Sequence, residues 1–238
     1  MRRFIPFPLL LIALSPVSAY EYTSESYVLK NGTVFSPESG DRASVSGDVI
    51  TSFYQGRTFS RTLAAPPRNT VVTGDVLIDA LTRMAFEEAA DDINKDGLFA
   101  AGAKWPTAWT RDMSYAADLS LSFLFPRNTE QSLASRVEDG VILQDTGSGG
   151  SYPVSTDRIV WGRAATAYAL YAHDESYAKH VYDVIAKTLE QDYQVVYDPV
   201  RNVFRGETSF LDWREQTYPR WMTPAAIGES FALGTNAV

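Results

Sequence analysis

The chain contains no cysteine and only two histidines. The first absence removes disulfides, thiolate metal sites and a cysteine nucleophile together. The second leaves His173 and His180, both in a stretch of helical periodicity, with no third ligand at helical spacing to complete a metal site. No metal and no cofactor is therefore expected. A long basic run is missing too: the 238 residues carry a formal net charge of −8, which makes a nucleic-acid groove or an anionic membrane surface a poor partner. No segment of about 20–50 residues recurs, so a simple solenoid is not indicated. The apolar run at residues 4–14 is short and is interrupted by two prolines, Pro6 and Pro8, which argues against a membrane-spanning helix.

What is present begins with an address. Arg2 and Arg3 precede that apolar run, and Val17-Ser18-Ala19 is a small-residue cleavage pattern. Residues 1–19 are thus expected to be a secretory signal peptide, with a periplasmic or secreted mature protein that starts near Tyr20 and holds no membrane after signal removal. Residues 20–66 read as a small β-rich segment, because Y-E-Y-T, T-V-F, D-V-I-T-S-F-Y and R-T-F-S-R-T-L are short β-branched or aromatic runs divided by Gly, Asn and Ser. Pro66-Pro67 ends it, since consecutive prolines force an extended chain and stop pairing.

From residue 67 to 238 the period is helical. Residues 75–94 place Val76, Ile78, Ala80, Leu81, Met84, Ala85 and Ala89 mainly at three- and four-residue steps. Further helices are expected at residues 113–125, 129–139 (stopped by Gly140), 157–171 and 175–193, and Thr223-Pro224 opens a sixth that continues through an apolar run. With 45% hydrophobic residues, such a chain buries a real core. The expected fold class is mainly α.

Residues between the helices carry the candidate chemistry. In T-S-F-L-D-W-R-E-Q-T-Y-P-R-W, residues 208–221, Asp212 and Glu215 are one helical turn apart, so both carboxyls can face one substrate group. Two acids in one site drive their pKa values apart, leaving one protonated as a general acid. Trp213, Tyr218 and Trp221 offer flat faces for sugar rings, and Arg214 and Arg220 offer fixed donor forks. An ion-paired turn, with the arginines neutralising the acids, fits this stretch equally well. Two more stretches share its composition: Lys104-Trp105-Pro106-Thr107-Ala108-Trp109-Thr110-Arg111-Asp112, and Ser155-Thr156-Asp157-Arg158-Ile159-Val160-Trp161. Asp112 or Asp157 alone could be a helix cap, but capping does not explain the Arg and Trp beside the Asp each time. We therefore expect Trp109, Arg111, Asp112, Asp157, Arg158, Trp213 and Arg214 to bind substrate, around Asp212 and Glu215. The Gly-rich residues 144–151 lack the Lys and spacing of a phosphate cradle and read as a rim loop or tight turn. Asp92-Ile93-Asn94-Lys95-Asp96-Gly97 starts like a calcium loop, but Ala103 stands where a bidentate Glu is required, so a turn is expected.

W-T-R-D entering a helix, followed about one hundred residues later by L-D-W-R-E, resembles the six-hairpin (α/α)6-barrel glycosidases, especially their glucoamylase-like branch. The resemblance covers about residues 75–238, in short motifs only. It implies that Arg111 and Asp112 hold the non-reducing sugar, that Glu215 is the proton donor, and that Asp212 tunes it or binds substrate. One departure is Gln216, where the glucoamylase pattern continues with another acid. The resemblance further implies a partial (α/α)6 toroid of helical hairpins in residues 67–238, since such barrels have twelve helices and six are read here. The general base, supplied by the second half in that family, then has no counterpart in this chain. The expected function is a secreted glycoside hydrolase acting by inversion on α-glucosidic or related bonds of an oligosaccharide or polysaccharide, inactive or weak by itself. The alternative is a non-catalytic carbohydrate-binding protein or an inactive glycosidase fragment. Half a barrel would also leave Ile227, Phe231 and Leu233 unpartnered and favour self-association.

Overall fold

A computed structural model of the chain describes residues 21–24, 26–30, 32–65, 72–145, 151–207 and 223–238. The expected signal peptide, the Pro66-Pro67 boundary, most of the Gly-rich loop and the whole acid-bearing stretch with Asp212, Trp213, Arg214 and Glu215 lie outside the described residues. The chain forms two compact units, one up to Ala90 and one from Asp91 onward.

The first unit is a six-stranded antiparallel meander carrying one helix. Its strands are β1 (Glu21–Thr23), β2 (Val28–Lys30), β3 (Thr33–Phe35), β4 (Arg42–Ser46), β5 (Val49–Tyr54) and β6 (Arg57–Thr62), and each pairs with the next in sequence. Gln55 and Gly56, both at positive φ, form the two-residue turn that joins β5 to β6 with Tyr54 opposite Arg57. Turns of that kind match the right-handed twist of the strands. Helix α1 (Val76–Asp91) is capped by the Asp75 carboxylate, which accepts from Leu77 N and Ile78 N at 2.9 and 3.1 Å. Ala80 on α1 joins Ile50 and Leu63 in a small buried cluster, with Val45 and Met84 packed against it. Arg61 pairs with Glu87 and Glu88, and Arg83 with Asp48, so charges from helix and sheet seal the edge of the cluster.

The second unit is organised on a small-residue helix. Helix α2 (Thr110–Ala116) runs through a π-helical turn, Ala117–Leu121, into α3 (Ser122–Leu124), and Pro126 then opens α4 (Pro126–Ala134) at the position where a missing N–H costs least. A hairpin of β7 (Val137–Glu138) and β8 (Val141–Ile142) leads to a 3-10 turn, Asp157–Ile159, and then to α5 (Val160–Ala172). Its Gly162, Ala164 and Ala165 let neighbours approach closely: Trp161 donates from its indole to Leu133 O at 3.0 Å, and a Cβ on Gly162 would stand 3.0 Å from the Ile185 side chain. That isoleucine belongs to α6 (Glu175–Val195), which packs on α5 and starts at Asp174, whose carboxylate accepts from Ser176 N and Tyr177 N. The hairpin of β9 (Tyr197–Asp198) and β10 (Val203–Phe204) follows, with Tyr193, Tyr197 and Phe204 in mutual ring contact. Two short helices, α7 (Pro224–Gly228) and α8 (Leu233–Asn236), complete the described chain.

Three expectations are corrected. Of the described residues 45% are helical and 22% are in strands, with a six-stranded antiparallel sheet, so the fold is an α/β mixture and not the mainly α partial (α/α)6 toroid. The cause is the continuous pairing of β1–β6 and the two hairpins set between helices. The helix expected at residues 129–139 ends at Ala134, because Asp139 and Gly140, at φ 49° and 74°, turn the chain between β7 and β8. The apolar run after Thr223 does not form one helix either. Gly206 N donates to Ser230 O, and Ala232 N to Gly206 O, so the run breaks to pair with the segment before residue 208. Within that run Ile227 is buried, whereas Phe231 stays 39% exposed with the Arg201 guanidinium 5.2 Å from its ring centre.

Candidate functional site

Where α2 begins, the backbone N–H groups of Thr110 and Arg111 have no partner within their own turn. Their acceptors come from a distant residue: Asp145 Oδ1 takes Thr110 N at 2.9 Å and Oδ2 takes Arg111 N at 2.8 Å. Arg136 fixes that carboxylate from the other side at 3.3 Å and donates to Thr110 Oγ1 at 2.9 Å. Thr110 Oγ1 in turn donates to Leu143 O at 2.8 Å. Burial raises the Asp145 carboxyl above its ordinary value, while the two N–H donors and then Arg136 oppose the rise.

The side chains that project from this start form a shallow recess. Ala101, Trp105, Trp109, Arg111 and Asp112 line it, around about 40 Å³ of free volume. That volume holds no more than a few waters, so a ring would rest on its rim and not inside it. Arg111 is 2% exposed and donates to Asp112 Oδ2 at 2.9 Å, and its guanidinium carbon stands 5.8 Å from the centre of the Trp109 ring. Asp112 keeps 28% of its side chain in contact with solvent. Trp105 is half exposed, and the Trp109 indole is held by Thr107 Oγ1 at 3.1 Å. The recess therefore offers two flat aromatic faces, and beside them a carboxylate already oriented by a buried cation.

Asp157 and Arg158 sit at the start of the 3-10 turn, tied to the same loop by the residue next to Asp145. Gln144 donates to Asp157 Oδ1 at 2.7 Å and accepts from Arg158 N at 2.9 Å. Both residues are buried, but Arg158 is directed inward. It donates to Ile142 O, Gln191 Oε1 and Asp192 Oδ1 at 3.1, 2.7 and 2.6 Å, and its guanidinium carbon lies 4.0 Å from the centre of the Tyr152 ring. Burial raises the Asp192 carboxyl, opposed by the Arg158 charge, and burial likewise pushes the Tyr152 phenol up. Arg158 is thus held as part of an internal ion pair, with its terminal nitrogens engaged inside the protein.

Of the nine residues expected to form the site, the structure brings Trp109, Arg111 and Asp112 together and links Asp157 and Arg158 to them through Gln144-Asp145. Asp212, Trp213, Arg214 and Glu215 lie outside the described residues. The chain enters that stretch from Glu207, which is almost fully buried, accepts from Ser155 Oγ at 2.9 Å, and bridges Ser155 in parallel. The acid-bearing stretch therefore starts one residue beyond a strand contact with the segment that holds Asp157. Sequence reasoning named Trp105 only within its stretch and Gln144-Asp145 only as a rim loop or tight turn, assigned none of the three to the site, and gave Glu207 no role. Trp105 could have been found from its spacing to Trp109, whereas the other three act over more than ten positions and leave no local pattern.

Among the described residues no group of three or more His, Cys, Asp or Glu is placed to hold a metal ion, and no helix is long and apolar enough to cross a membrane. Comparison with protein-family models, curated proteins and solved structures finds no match to the chain.

Proposed function

We propose that this chain is a glycoside hydrolase acting on α-glucosidic or related bonds, exported by its amino-terminal sequence to the periplasm or the exterior, and that the Trp105–Asp112 recess receives a sugar ring. One observation carries the reading: an aspartate oriented by a buried arginine, at 2.9 Å, stands beside two tryptophans on a partly open surface. Sugars present apolar C–H faces and a rim of hydroxyls, and the two halves of this recess suit them in turn, the indoles by stacking and Asp112 by accepting from hydroxyls. The likeness of W-T-R-D and L-D-W-R-E to glucoamylase-like glycosidases supports the same assignment and gives Glu215 the role of proton donor to the leaving oxygen, with Asp212 adjusting its pKa. Inversion then requires a second carboxylate about 6.5–9.5 Å from the acid, with water between them.

Binding and turnover of maltooligosaccharides and trehalose test the reading. Trp109→Ala and Asp112→Ala should each weaken binding by about 1–3 kcal/mol, by loss of a stacking face or of a hydroxyl's acceptor. Glu215→Gln should remove turnover and leave binding in place. A folded Asp112→Ala variant with unchanged affinity would sink the site, and turnover indifferent to Glu215 would sink the acid. Binding with no turnover in the unaltered protein would leave a carbohydrate-binding protein.

A further inference from the structure

We propose that Asp145 is a positioning residue of this site, setting the backbone from which Arg111 and Asp112 project; the proposal rests on the reading of the recess as a sugar site. Each of its oxygens engages a different N–H at the first turn of α2, Thr110 at 2.9 Å and Arg111 at 2.8 Å. Such two-point contact fixes the direction in which the turn starts as well as its place. Trp109, the residue that precedes the turn, has extended backbone, and its side chain offers no cap. The orientation of α2 therefore depends on a carboxylate that is distant in sequence. Asp145 is itself held: Arg136 reaches both its Oδ1 and the Thr110 hydroxyl, and Gln144 beside it is fastened to Asp157 and Arg158 N. One rigid dipeptide thus couples the Arg111–Asp112 pair to the Asp157 turn, and an error of a fraction of an ångström at Asp145 is passed to the carboxylate that meets the ligand. Positioning of this kind decides affinity without any contact with the bound molecule.

The test compares Asp145→Asn with Asp174→Ala, which removes a helix cap of the same chemistry at the start of α6. An amide has one acceptor oxygen for two N–H groups, so in Asp145→Asn one donor at the start of α2 loses its acceptor. Affinity for maltotriose should fall about tenfold in Asp145→Asn, through the lost alignment of Asp112 with the ligand, and stay at the wild-type value in Asp174→Ala. In 1H–15N spectra without ligand, the Arg111 side-chain Nε–H and Trp109 indole N–H resonances should shift in the first variant and hold still in the second. A folded Asp145→Asn protein with unshifted resonances or wild-type affinity overturns the proposal. Should the unaltered protein bind no sugar, the functional reading fails by itself, and the two resonances still decide whether Asp145 sets the geometry. If Asp145→Asn does not fold, Arg136→Met replaces it: this change frees the Asp145 carboxylate on one side and should move the same two resonances, and their staying in place counts against the proposal.

Discussion

Arg158 and Asp192 meet at 2.6 Å with side chains only 4% and 6% exposed, so each charge depends on the other. Taking both ions out of water costs several kcal/mol apiece, and the attraction repays that only while both are present. Asp192→Ala should therefore destabilise the protein by about 3–5 kcal/mol, since it leaves a buried guanidinium unpaired. Replacing both partners, as Arg158→Met with Asp192→Leu, should recover most of the loss in chemical denaturation, and a double variant as unstable as the single one would refute this account. The same pair marks the limit of what composition can reveal. An Asp and an Arg beside a tryptophan read alike at residues 111–112 and 157–158. In the first case the aspartate is partly open to solvent, and in the second the arginine is consumed inside by Asp192, Gln191 and Ile142 O. Which of the two obtains is decided by partners more than thirty positions away on α6. No window around Arg158 contains that information.

Elements with a long apolar stripe or a strong cap were legible. Helices α1, α5 and α6 fall within a few residues of the expected spans because each repeats its apolar residues at helical steps over several turns. The elements that were missed are those in which a short local signal overrides the stripe. Asp139-Gly140 makes a hairpin where a helix end was read, and Asp198 closes the turn after β9 by accepting from Val200 N and Arg201 N at 2.9 and 3.0 Å. Capping also gives α6 a pH dependence. The Tyr177 N–H, followed by the Ser176 hydroxyl, holds the Asp174 carboxyl below its ordinary value. A carboxyl depressed in the folded state contributes stability that is present above its unfolded value of about 4 and is lost as pH falls through the folded value. Wild-type melting temperature should thus decline more steeply below about pH 4 than that of Asp174→Ala, and identical slopes would exclude the cap as the source. Gly206 poses a steric test at the pairing that breaks the final apolar run. Its φ is 111°, and a Cβ there would lie 2.5 Å from the Thr156 side chain and 3.0 Å from Val154 O. Gly206→Ala should cost about 2–4 kcal/mol by strain and overlap together. A variant within error of wild type in urea unfolding would show that the segment shifts freely.

The two units differ in how much apolar surface each removes from water. In the first, the buried cluster is Ile50, Leu63 and Ala80, joined by Leu77 elsewhere on α1, and β6 is exposed along most of its length. In the second, Met113, Ala117, Leu121, Leu133, Ile142, Val160, Trp161 and three alanines of α5 (Ala164, Ala165 and Ala169) are buried, together with Val181 and Val184 of α6. Burial contributes about 25 cal/mol for each Å² of apolar surface, so the second unit holds most of the hydrophobic stabilisation. Local opening free energies follow the same division, since regions with few buried apolar contacts open without waiting for global unfolding. Native-state hydrogen exchange should accordingly find the β5 and β6 amides exchanging through a smaller opening than those of α5. Ile50→Ala sharpens the comparison, because it removes one of the two large buried side chains of the small cluster, a truncation of the kind that costs about 2–5 kcal/mol. It should accelerate exchange throughout β4–β6 and leave protection at Trp161–Tyr168 unchanged. If α5 loses protection in step with β5, the two units unfold as one cooperative body, and the division at Ala90 is geometric without being energetic.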